Sequence, residues 1–561
     1  MQTKSLHIFD YLVFLVYFVI VAGYGYYIYR RKKKATTDSK DFFLAEGSLT
    51  WWAIGASLIA SNISAEQFIG MSGNGFSIGL AISTYEWMAA ATLIVVAVFF
   101  LPIYLKNKIY TMPQFLERRY NQTVSTIMAV FWLLLYVVVN LTSILYLGAL
   151  AVSTISGINF YVCMVALAFF AILITLGGMK VIGYTDVIQV FFLILGGLAT
   201  TYLALQLVSE HFGTTGVLKG FSLMTQHASE HFHMILHKEN PKYLDLPGLS
   251  VLIGGMWIVN LNYWGCNQYI TQRALGADLK TARSGLLFAG FLKLLMPVIV
   301  VLPGIAAYVL YSQNHGDFAQ SMMKGGSLNA DNAYPVLLNL LPVGLKGLAF
   351  AALTAAVVAS LAGKANSIST IFSLDIYKKI YNKEADEKKI VSVGRLVVVV
   401  TMIIAIVISN FLGIDKKGGF QFIQEYTGFV SPGVFAMFAL GFFWKRTTSS
   451  AAMFAMIGGL LLSFFLKFMP AWVNLEPLSQ IGFSALNPDS GLWEMAFIDR
   501  MGLVFVVCVL GMVIITLSDK TSVNNPKGLA IDSSMFKPNM GFTVGALLII
   551  GILIALYTVF W

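Results

Sequence analysis

Charged residues are scarce in this 561-residue sequence: Asp, Glu, Lys and Arg form 11% of it, and 58% of the residues are hydrophobic. Soluble globular chains carry about 25% charged residues, so the composition excludes that class. Cysteine is also rare. Cys163, Cys266 and Cys508 lie far apart in apolar segments, which argues against a disulfide framework or a zinc site.

Long polar stretches are missing as well. The longest connection between apolar segments, about 210 to 247, is too short for a soluble catalytic domain. An enzyme embedded in the membrane would need a nucleophile with a base, or metal ligands, at the midplane, and no such set is evident. We therefore predict that the protein is not an enzyme. A wide pore would need rings of like charge or of carbonyls, which the sequence does not indicate. A channel or a sensor is the other class to set against a carrier, and single-channel currents, or saturable binding without transport, would favour it.

Long apolar runs dominate instead. About 14 segments approach the roughly 20 residues needed to cross about 30 Å of hydrocarbon. Their apolar residues do not alternate with polar ones as they do in barrel strands, so the sequence predicts an all-α membrane protein in a lipid bilayer.

Basic residues set the expected orientation. The first segment is too long for a cleaved signal peptide, and "RRKKK" follows it, so we expect an outside N-terminus. The loops that would then face the cytoplasm carry most of the Lys and Arg residues, and an even number of crossings places the C-terminus outside too. The net charge of +10 then faces anionic lipid in a cell inner membrane, and nucleic acid is not an expected partner.

Two apolar segments are interrupted by polar residues. The second contains "SNISAEQ" and the seventh "VNLNYWGCN", Val259 to Asn267. Because the seventh segment comes five segments after the second, an odd number, the two units have opposite orientation, which is typical of inverted repeats with broken helices at the bilayer midplane. The alternative is that each interruption is only a kink without proline, whose released backbone groups bond to neighbouring helices. We predict an inverted 5+5 repeat, each repeat beginning with a broken helix: 1–47, a first helix and cytoplasmic basic loop; 48–209, the first repeat; 210–247, an outside loop; 248–444, the second repeat; 445–561, three peripheral helices.

Ionisable residues deep in the apolar segments are functional candidates, since each costs about 3 kcal/mol or more without a partner or cavity. The alternative is that these residues form ion pairs that only hold helices together. Two of them, Asp186 and Glu425, could instead lie at helix ends that water reaches. The set is Glu66, Glu86, Asp186, Lys293, Lys364 and Glu425.

Hydroxyl-binding side chains recur near these charges, and Tyr263 and Trp264 offer flat faces for a sugar ring. A cavity lined in this way suits a small, neutral, hydroxylated solute. The hydroxyl-binding residues are Gln67, Tyr85, Glu86, Asn260, Lys293 and Gln424.

Several motifs resemble the sodium/solute symporter family over nearly the whole chain. They are "WWAIGASLIASNISAEQFIGMSGNGFSIGLAISTYEWM", "TDVIQVFF", "NLNYWGCNQYI", "FLKLLMPVIVVLPGIAAY" and "FQFIQEYTGFVSPG". The resemblance implies a LeuT-like core within fourteen helices. It also implies a secondary active transporter that imports a monosaccharide, galactose or glucose, together with Na+ by alternating access.

The resemblance also implies roles for individual residues. The sugar would be held by Gln67, Glu86, Asn260, Lys293 and Gln424. The gates would be Tyr263 with Trp264 on the inside, and Met71, Tyr85 and Phe420 on the outside. Sodium would bind the backbone carbonyls of Ala60, Ile63 and Ala356 and the Ser360 hydroxyl. Asn62 and Asp186 would serve coupling, with Asp186 on the sodium exit path.

The sequence departs from the family pattern at four positions. Ala89 replaces a serine at the sugar site, Asn262 replaces a tyrosine beside the gate, and Ala359 replaces the first of two serines at the sodium site. Lys364 replaces an apolar residue and shares a helical face with Ser360, one turn away.

The ammonium of Lys364 could pair with Asp186, take the place of sodium, or lose its proton. Our hypothesis is that Lys364 modifies coupling. The alternatives are a harmless salt bridge, and a proton-coupled or uncoupled sugar transporter in which Lys364 substitutes for sodium.

Histidines cluster outside the apolar segments. His227 and His231 have the i, i+4 spacing of a helical metal site. A solvated amphipathic loop helix is the alternative, and the sequence favours it.

Overall fold

The computed structural model describes residues 6–31, 49–324, 326–409, 411, 419–488, 490–529 and 531–561. The basic loop predicted after the first helix falls on residues 32–47, outside the described residues. Almost all regular structure in the described part of the chain is helical.

The α-helices are Ile8–Arg31, Trp51–Asn62, Ser72–Ser77, Thr84–Val95, Leu101–Lys106, Met112–Arg119, Gln122–Leu134, Thr142–Ser156, Phe160–Leu176, Met179–His211, Val217–His227, Ser250–Ile253, Gly255–Cys266, Gln268–Leu275, Leu279–Ser312, Phe318–Ser321, Ala333–Leu340, Leu345–Ile371, Glu387–Ile408, Gly419–Gly428, Ser431–Phe443, Ser449–Met453, Gly459–Phe468, Phe497–Ser518 and Met540–Val559.

Shorter elements join or extend these helices. The π-helical turns are Glu66–Met71, Val96–Phe100, Leu135–Leu141, Phe372–Tyr381 and Phe454–Gly458. The 3-10 turns are Leu80–Ser83, Ser229–Phe232, Ala330–Asn332, Met469–Ala471, Glu476–Ile481, Lys520–Asn524 and Ser533–Phe536. Two antiparallel hairpins pair Met323–Lys324 with Ser327–Leu328, and Ala485–Leu486 with Trp493–Glu494.

Within the described ranges, 10 helical stretches are long and apolar enough to cross a membrane, and Phe160–Leu176 and Ser431–Phe443 are shorter apolar helices. The protein is therefore a mostly helical, multi-pass membrane protein. The 10 stretches are Ile8–Ile28, Leu80–Lys106, Gln122–Ser156, Val181–His211, Leu279–Ser312, Leu345–Tyr381, Glu387–Ile408, Ser449–Ala471, Phe497–Ser518 and Met540–Val559.

The first broken segment comprises Trp51–Asn62 and 65–77. Helix Trp51–Asn62 ends because Ile63 adopts an extended backbone, with φ −83° and ψ 115°. Polar side chains satisfy the backbone groups that the break releases: the amide of Ser64 donates to Gln67 Oε1 at 3.0 Å, and the amide of Glu66 donates to Ser64 Oγ at 3.1 Å. These two contacts explain why serine and glutamine occur within an otherwise apolar segment.

The second broken segment comprises Gly255–Cys266 and Gln268–Leu275. Its break falls on Asn267 alone, whose φ is −100° and ψ 119°, so the interruption predicted over residues 259–267 was too long. Helix continues through residues 259–266 because polar side chains find partners there. The Asn260 amide donates to the Met256 carbonyl one turn earlier, at 3.1 Å.

Helix Leu345–Ile371 is the central element. It packs against Ile8–Arg31, Met179–His211 and Trp51–Asn62, and all of its residues except Leu345 and Leu348 are buried. Its many alanine, glycine and serine residues allow neighbouring backbones to approach closely. A helix buried on all sides can carry polar groups only where they face a partner or a cavity, which applies to Ser360 and Lys364.

Arg119 ties the end of helix Ser431–Phe443 to the rest of the molecule. Its side chain is completely buried and donates to the carbonyls of Gly441 and Trp444, each at 2.8 Å, and of Thr447 at 3.0 Å. The last carbonyls of a helix have no partner within it, so one guanidinium satisfies several of them.

Replacing Arg119 with methionine is expected to lower the free energy of unfolding by about 3 kcal/mol, because several buried carbonyls lose a charged donor. Thermal unfolding of the purified protein in detergent measures this loss. Arg118→Met is the matched control, since Arg118 is exposed. Equal melting temperatures for the two variants would contradict the prediction.

Candidate functional site

A cavity lies where the two broken segments face helices Thr84–Val95 and Leu279–Ser312. Its open volume is about 70 Å³, which holds a few water molecules at about 30 Å³ each. A sugar ring would require the walls to move apart. The lining includes all five residues predicted to bind sugar, together with Asn62, Tyr85, Ala89, Tyr263, Trp264, Phe420 and Lys364.

A buried ion pair crosses this cavity. Lys293 Nζ donates to Glu86 Oε2 and to Asn62 Oδ1, and only 1% of the Lys293 side chain and 4% of the Glu86 side chain are exposed. The Lys293 ammonium also lies 5.2 Å from the ring centroid of Trp264. The two opposite charges compensate each other in a region where an isolated charge would be costly.

Asn62 connects this ion pair to the predicted inner gate. Its amide donates to the Tyr263 hydroxyl at 3.1 Å, while its carbonyl oxygen accepts from Lys293. The first broken segment therefore contacts both the second broken segment and helix Leu279–Ser312 through one side chain.

Aromatic rings close another side of the cavity. Tyr85 and Phe420 meet edge to face, with ring centroids 5.0 Å apart. Gly70 allows this closure, because a Cβ there would lie 2.8 Å from that of Phe420.

Met71, the third predicted outer-gate residue, is fully buried and is not part of the lining. It belongs to the π-helical turn Glu66–Met71. The wider π turn displaces it from the face that Gln67 would share with it in an α-helix.

The Ser360 hydroxyl lies among backbone carbonyls at the first break. Its Oγ is 2.9 Å from the carbonyl oxygen of Ser61 and 3.3 Å from those of Ala60 and Ile63. Ala356, whose carbonyl was predicted to join them, is buried one turn earlier on the same helix. A cluster of neutral oxygens suits a hard cation, so two of the three predicted carbonyls and the predicted hydroxyl are brought together.

Replacing Ser360 with alanine is expected to raise the sodium concentration for half-maximal sugar uptake by about tenfold, the cost of one lost oxygen ligand at roughly 1.4 kcal/mol. Uptake by proteoliposomes at graded sodium concentrations measures this shift. The control is Ser373→Ala, because the Ser373 hydroxyl is buried without a partner. An unchanged sodium dependence in Ser360→Ala would place the ion elsewhere.

Asp186 lies in a buried network with an arginine that the sequence did not single out. Asp186 Oδ2 accepts from Ser57 Oγ at 2.5 Å, and Ser57 Oγ accepts from Arg273 Nε at 2.9 Å. Only 1% of Asp186 is exposed, so the hydrated helix end considered for it is wrong. Arg273 escaped notice because it follows the second break and resembles a cytoplasmic loop residue.

Lys364 contacts an amide and aromatic rings. Its Nζ donates to Asn140 Oδ1 at 2.6 Å and lies 3.8 Å from the ring centroid of Tyr269. It forms no ion pair with any carboxylate in the described ranges. Pairing with Asp186 is therefore wrong, because the Lys364 ammonium contacts Asn140 and Tyr269 instead. Neither residue was found from the sequence. Asn140 lies among apolar residues, and Tyr269 lies next to the second break.

Glu425 has a packing role. It forms ion pairs with Lys467 at 2.5 Å and with Arg500 at 3.0 Å, which is the alternative considered from the sequence. Asn262, one of the four departures, donates to Ser431 Oγ at 3.1 Å and joins its helix to Ser431–Phe443.

The histidine pair does not form a helical metal site. Helix Val217–His227 ends at His227, and His231 lies in the turn Ser229–Phe232. The His231 Nε2–H donates to the Phe76 carbonyl at 3.0 Å, and burial lowers the pKa of its imidazole. Among the residues that the structure describes, no group of three or more His, Cys, Asp or Glu side chains is placed to hold a metal ion.

Known cotransporters resemble this chain over most of its length. The chain is 48% identical over 559 residues to the Sodium/glucose cotransporter of Vibrio parahaemolyticus, covering 98% of each protein. It is 34% identical over 480 residues to mouse (Mus musculus) Sodium/myo-inositol cotransporter 2, covering 82% of this chain and 70% of that protein.

The fold is similar to that of a Na+-coupled sialic acid symporter solved in a substrate-bound outward-open state. The TM-score is 0.74 at 22% identity, over 91% of this chain and 98% of that one. The model of the Sodium:solute symporter family matches residues 42–459. The resemblance noted in the sequence is confirmed, and the chain belongs to the sodium:solute symporter family.

Proposed function

We propose that this protein imports a monosaccharide, glucose or galactose, together with sodium by alternating access. The observation that carries the proposal is the cavity at the two breaks, where Gln67, Glu86, Asn260, Lys293 and Gln424 meet close to the carbonyls around Ser360. The 48% identity to a protein named Sodium/glucose cotransporter supports both the sugar and the ion.

Sodium would couple to sugar through the first break. An ion between the carbonyls of residues 60–63 and Ser360 would hold the first broken segment against helix Leu345–Ile371. That contact would favour the outward-facing state, in which Gln67 and Asn62 are positioned for sugar. Loss of the ion would release the segment and let Tyr263 and Trp264 open inward, a population shift driven by differential binding.

Sugar would compete with contacts now made within the protein. Its hydroxyls can replace the partners of Lys293, Glu86 and Asn62, so that opening the cavity exchanges one set of hydrogen bonds for another. The Ala89 methyl in the lining provides no hydroxyl contact, so specificity would depend on the amides and the ion pair.

The proposed architecture has fourteen crossings. The two broken segments and the two shorter apolar helices supplement the 10 long stretches. The repeats would span 48–209 and 248–444, around an outside loop at 210–247 and followed by three peripheral helices. Both termini would lie outside the inner membrane, with the basic loop within 1–47 in the cytoplasm.

Radiolabelled glucose and galactose uptake into proteoliposomes tests the proposal. An inward sodium gradient should drive accumulation above the external concentration, and unlabelled substrate sugar should compete. Replacing sodium with choline should leave only slow equilibration. Accumulation of neither sugar under the sodium gradient would contradict the proposed function.

Proton-coupled or uncoupled sugar transport is the second proposal. It is favoured by the Lys364 ammonium, which lines the cavity one turn from Ser360 and, among the residues that the structure describes, forms no direct ion pair. In that case sugar would move equally well in choline, or would follow a proton gradient imposed at constant sodium.

A further inference from the structure

A cluster of buried donors without partners surrounds Lys364. The unpartnered atoms are Ser61 Oγ, Asn140 Nδ2, the Tyr269 hydroxyl and Arg273 Nη2. These residues are between 0% and 6% exposed. Buried polar groups normally have partners, so a group of unpartnered atoms in one place indicates something that completes them.

All the unpartnered atoms of this cluster can donate a hydrogen bond. The Asn140 amide nitrogen and the Arg273 guanidinium can only donate, and the two hydroxyls can donate as well. Both cations flank one ring: Lys364 Nζ lies 3.8 Å, and the Arg273 guanidinium carbon 5.1 Å, from the centroid of Tyr269.

The nearby carboxylates do not contact these two cations directly. Asp186 reaches Arg273 only through the Ser57 hydroxyl. Glu66 lines the same cavity and attracts the Lys364 ammonium electrostatically, but among the described residues the two form no direct ion pair. A cation would be repelled by the two adjacent positive groups, and water would add no negative charge in contact with the ammonium, whereas a small anion can accept from several donors and offset that charge directly.

We propose that the end of the cavity bounded by Ser61, Asn140 and Lys364 binds a monovalent anion, chloride. These three residues all line the cavity and would supply the contacting donors, while Arg273 and Tyr269 would support the site from behind. Ser61 also places its carbonyl 2.9 Å from Ser360 Oγ, so the anion would lie beside the proposed sodium position. There it would reduce the repulsion between Lys364 and sodium.

Binding of chloride-36 to the purified full-length protein in detergent tests this site without relying on sugar transport. Saturable binding is expected, displaced by unlabelled chloride and not by gluconate. Its absence from the wild-type protein would overturn the proposal, whatever the outcome of the sugar uptake experiment.

The decisive variant is Asn140→Asp, which places a fixed carboxylate beside the Lys364 ammonium at nearly unchanged volume. It should weaken chloride binding by at least about tenfold, because the charge that attracts the anion is already compensated. Asn366→Asp is the control, since Asn366 is also a buried asparagine of this region whose amide contacts Met179. Equal chloride affinity in wild type and Asn140→Asp would overturn the proposal.

Discussion

Sugar uptake is expected to fall by at least about 100-fold when Lys293 is replaced by methionine, which keeps the length of the side chain and removes its charge. The ammonium is the ion-pair partner of Glu86 in a cavity wall where neither side chain is more than 4% exposed. Leaving a buried carboxylate alone costs about 3–5 kcal/mol. Asn62 also loses its donor, so the position of the first broken segment changes too. Initial rates of radiolabelled glucose uptake under a sodium gradient measure the effect.

A double variant separates transport from stability. Combining Lys293→Met with Glu86→Gln removes both charges, so the melting temperature should return most of the way to that of the wild type, while uptake stays low. A double variant that transports at the wild-type rate would show that the ion pair only holds the helices together, and would contradict its proposed role in sugar binding.

The sequence was better at identifying functional candidates than at predicting which of them contact each other. Glu86 and Lys293 were found because a charge inside an apolar helix has few explanations. Their contact was not predicted, because the two residues are 207 positions apart and one sequence carries no information about that distance. The proximity of Ser360 to the carbonyls of Ala60 and Ile63 was predicted, but only because the family resemblance implied it.

The breaks illustrate a second limit. Polar residues indicated both of them, but polarity marks a partner and does not always mark an irregular backbone. At Ser64 and Gln67 the side chains replace missing backbone bonds, whereas Asn260 and Tyr263 lie on an intact helix. Arg273 and Tyr269 were missed because their burial depends on how the chain resumes after the second break, and Asn140 was missed because it lies among apolar residues.

In gluconate medium, where no chloride compensates the Lys364 ammonium, the variant Lys364→Met is expected to bind sodium about 30-fold more tightly than the wild-type protein does. Residues one turn apart are separated by about 6 Å along a helix. Two positive charges at about that distance repel by roughly 2–3 kcal/mol at an effective dielectric constant near 20. The sodium concentration for half-maximal sugar uptake in proteoliposomes measures the change.

Lys346→Met is the matched control, because it makes the same substitution near the other end of the same helix, where the buried Lys346 lies about 20 Å from Ser360 by helical rise. Screening over that distance should leave sodium affinity unchanged. A different result for Lys364→Met would contradict this prediction and support transport without sodium. If wild-type uptake needs no sodium and the variant acquires a strict requirement for it, the ammonium occupies the role of the ion, and transport without sodium becomes the function of this protein.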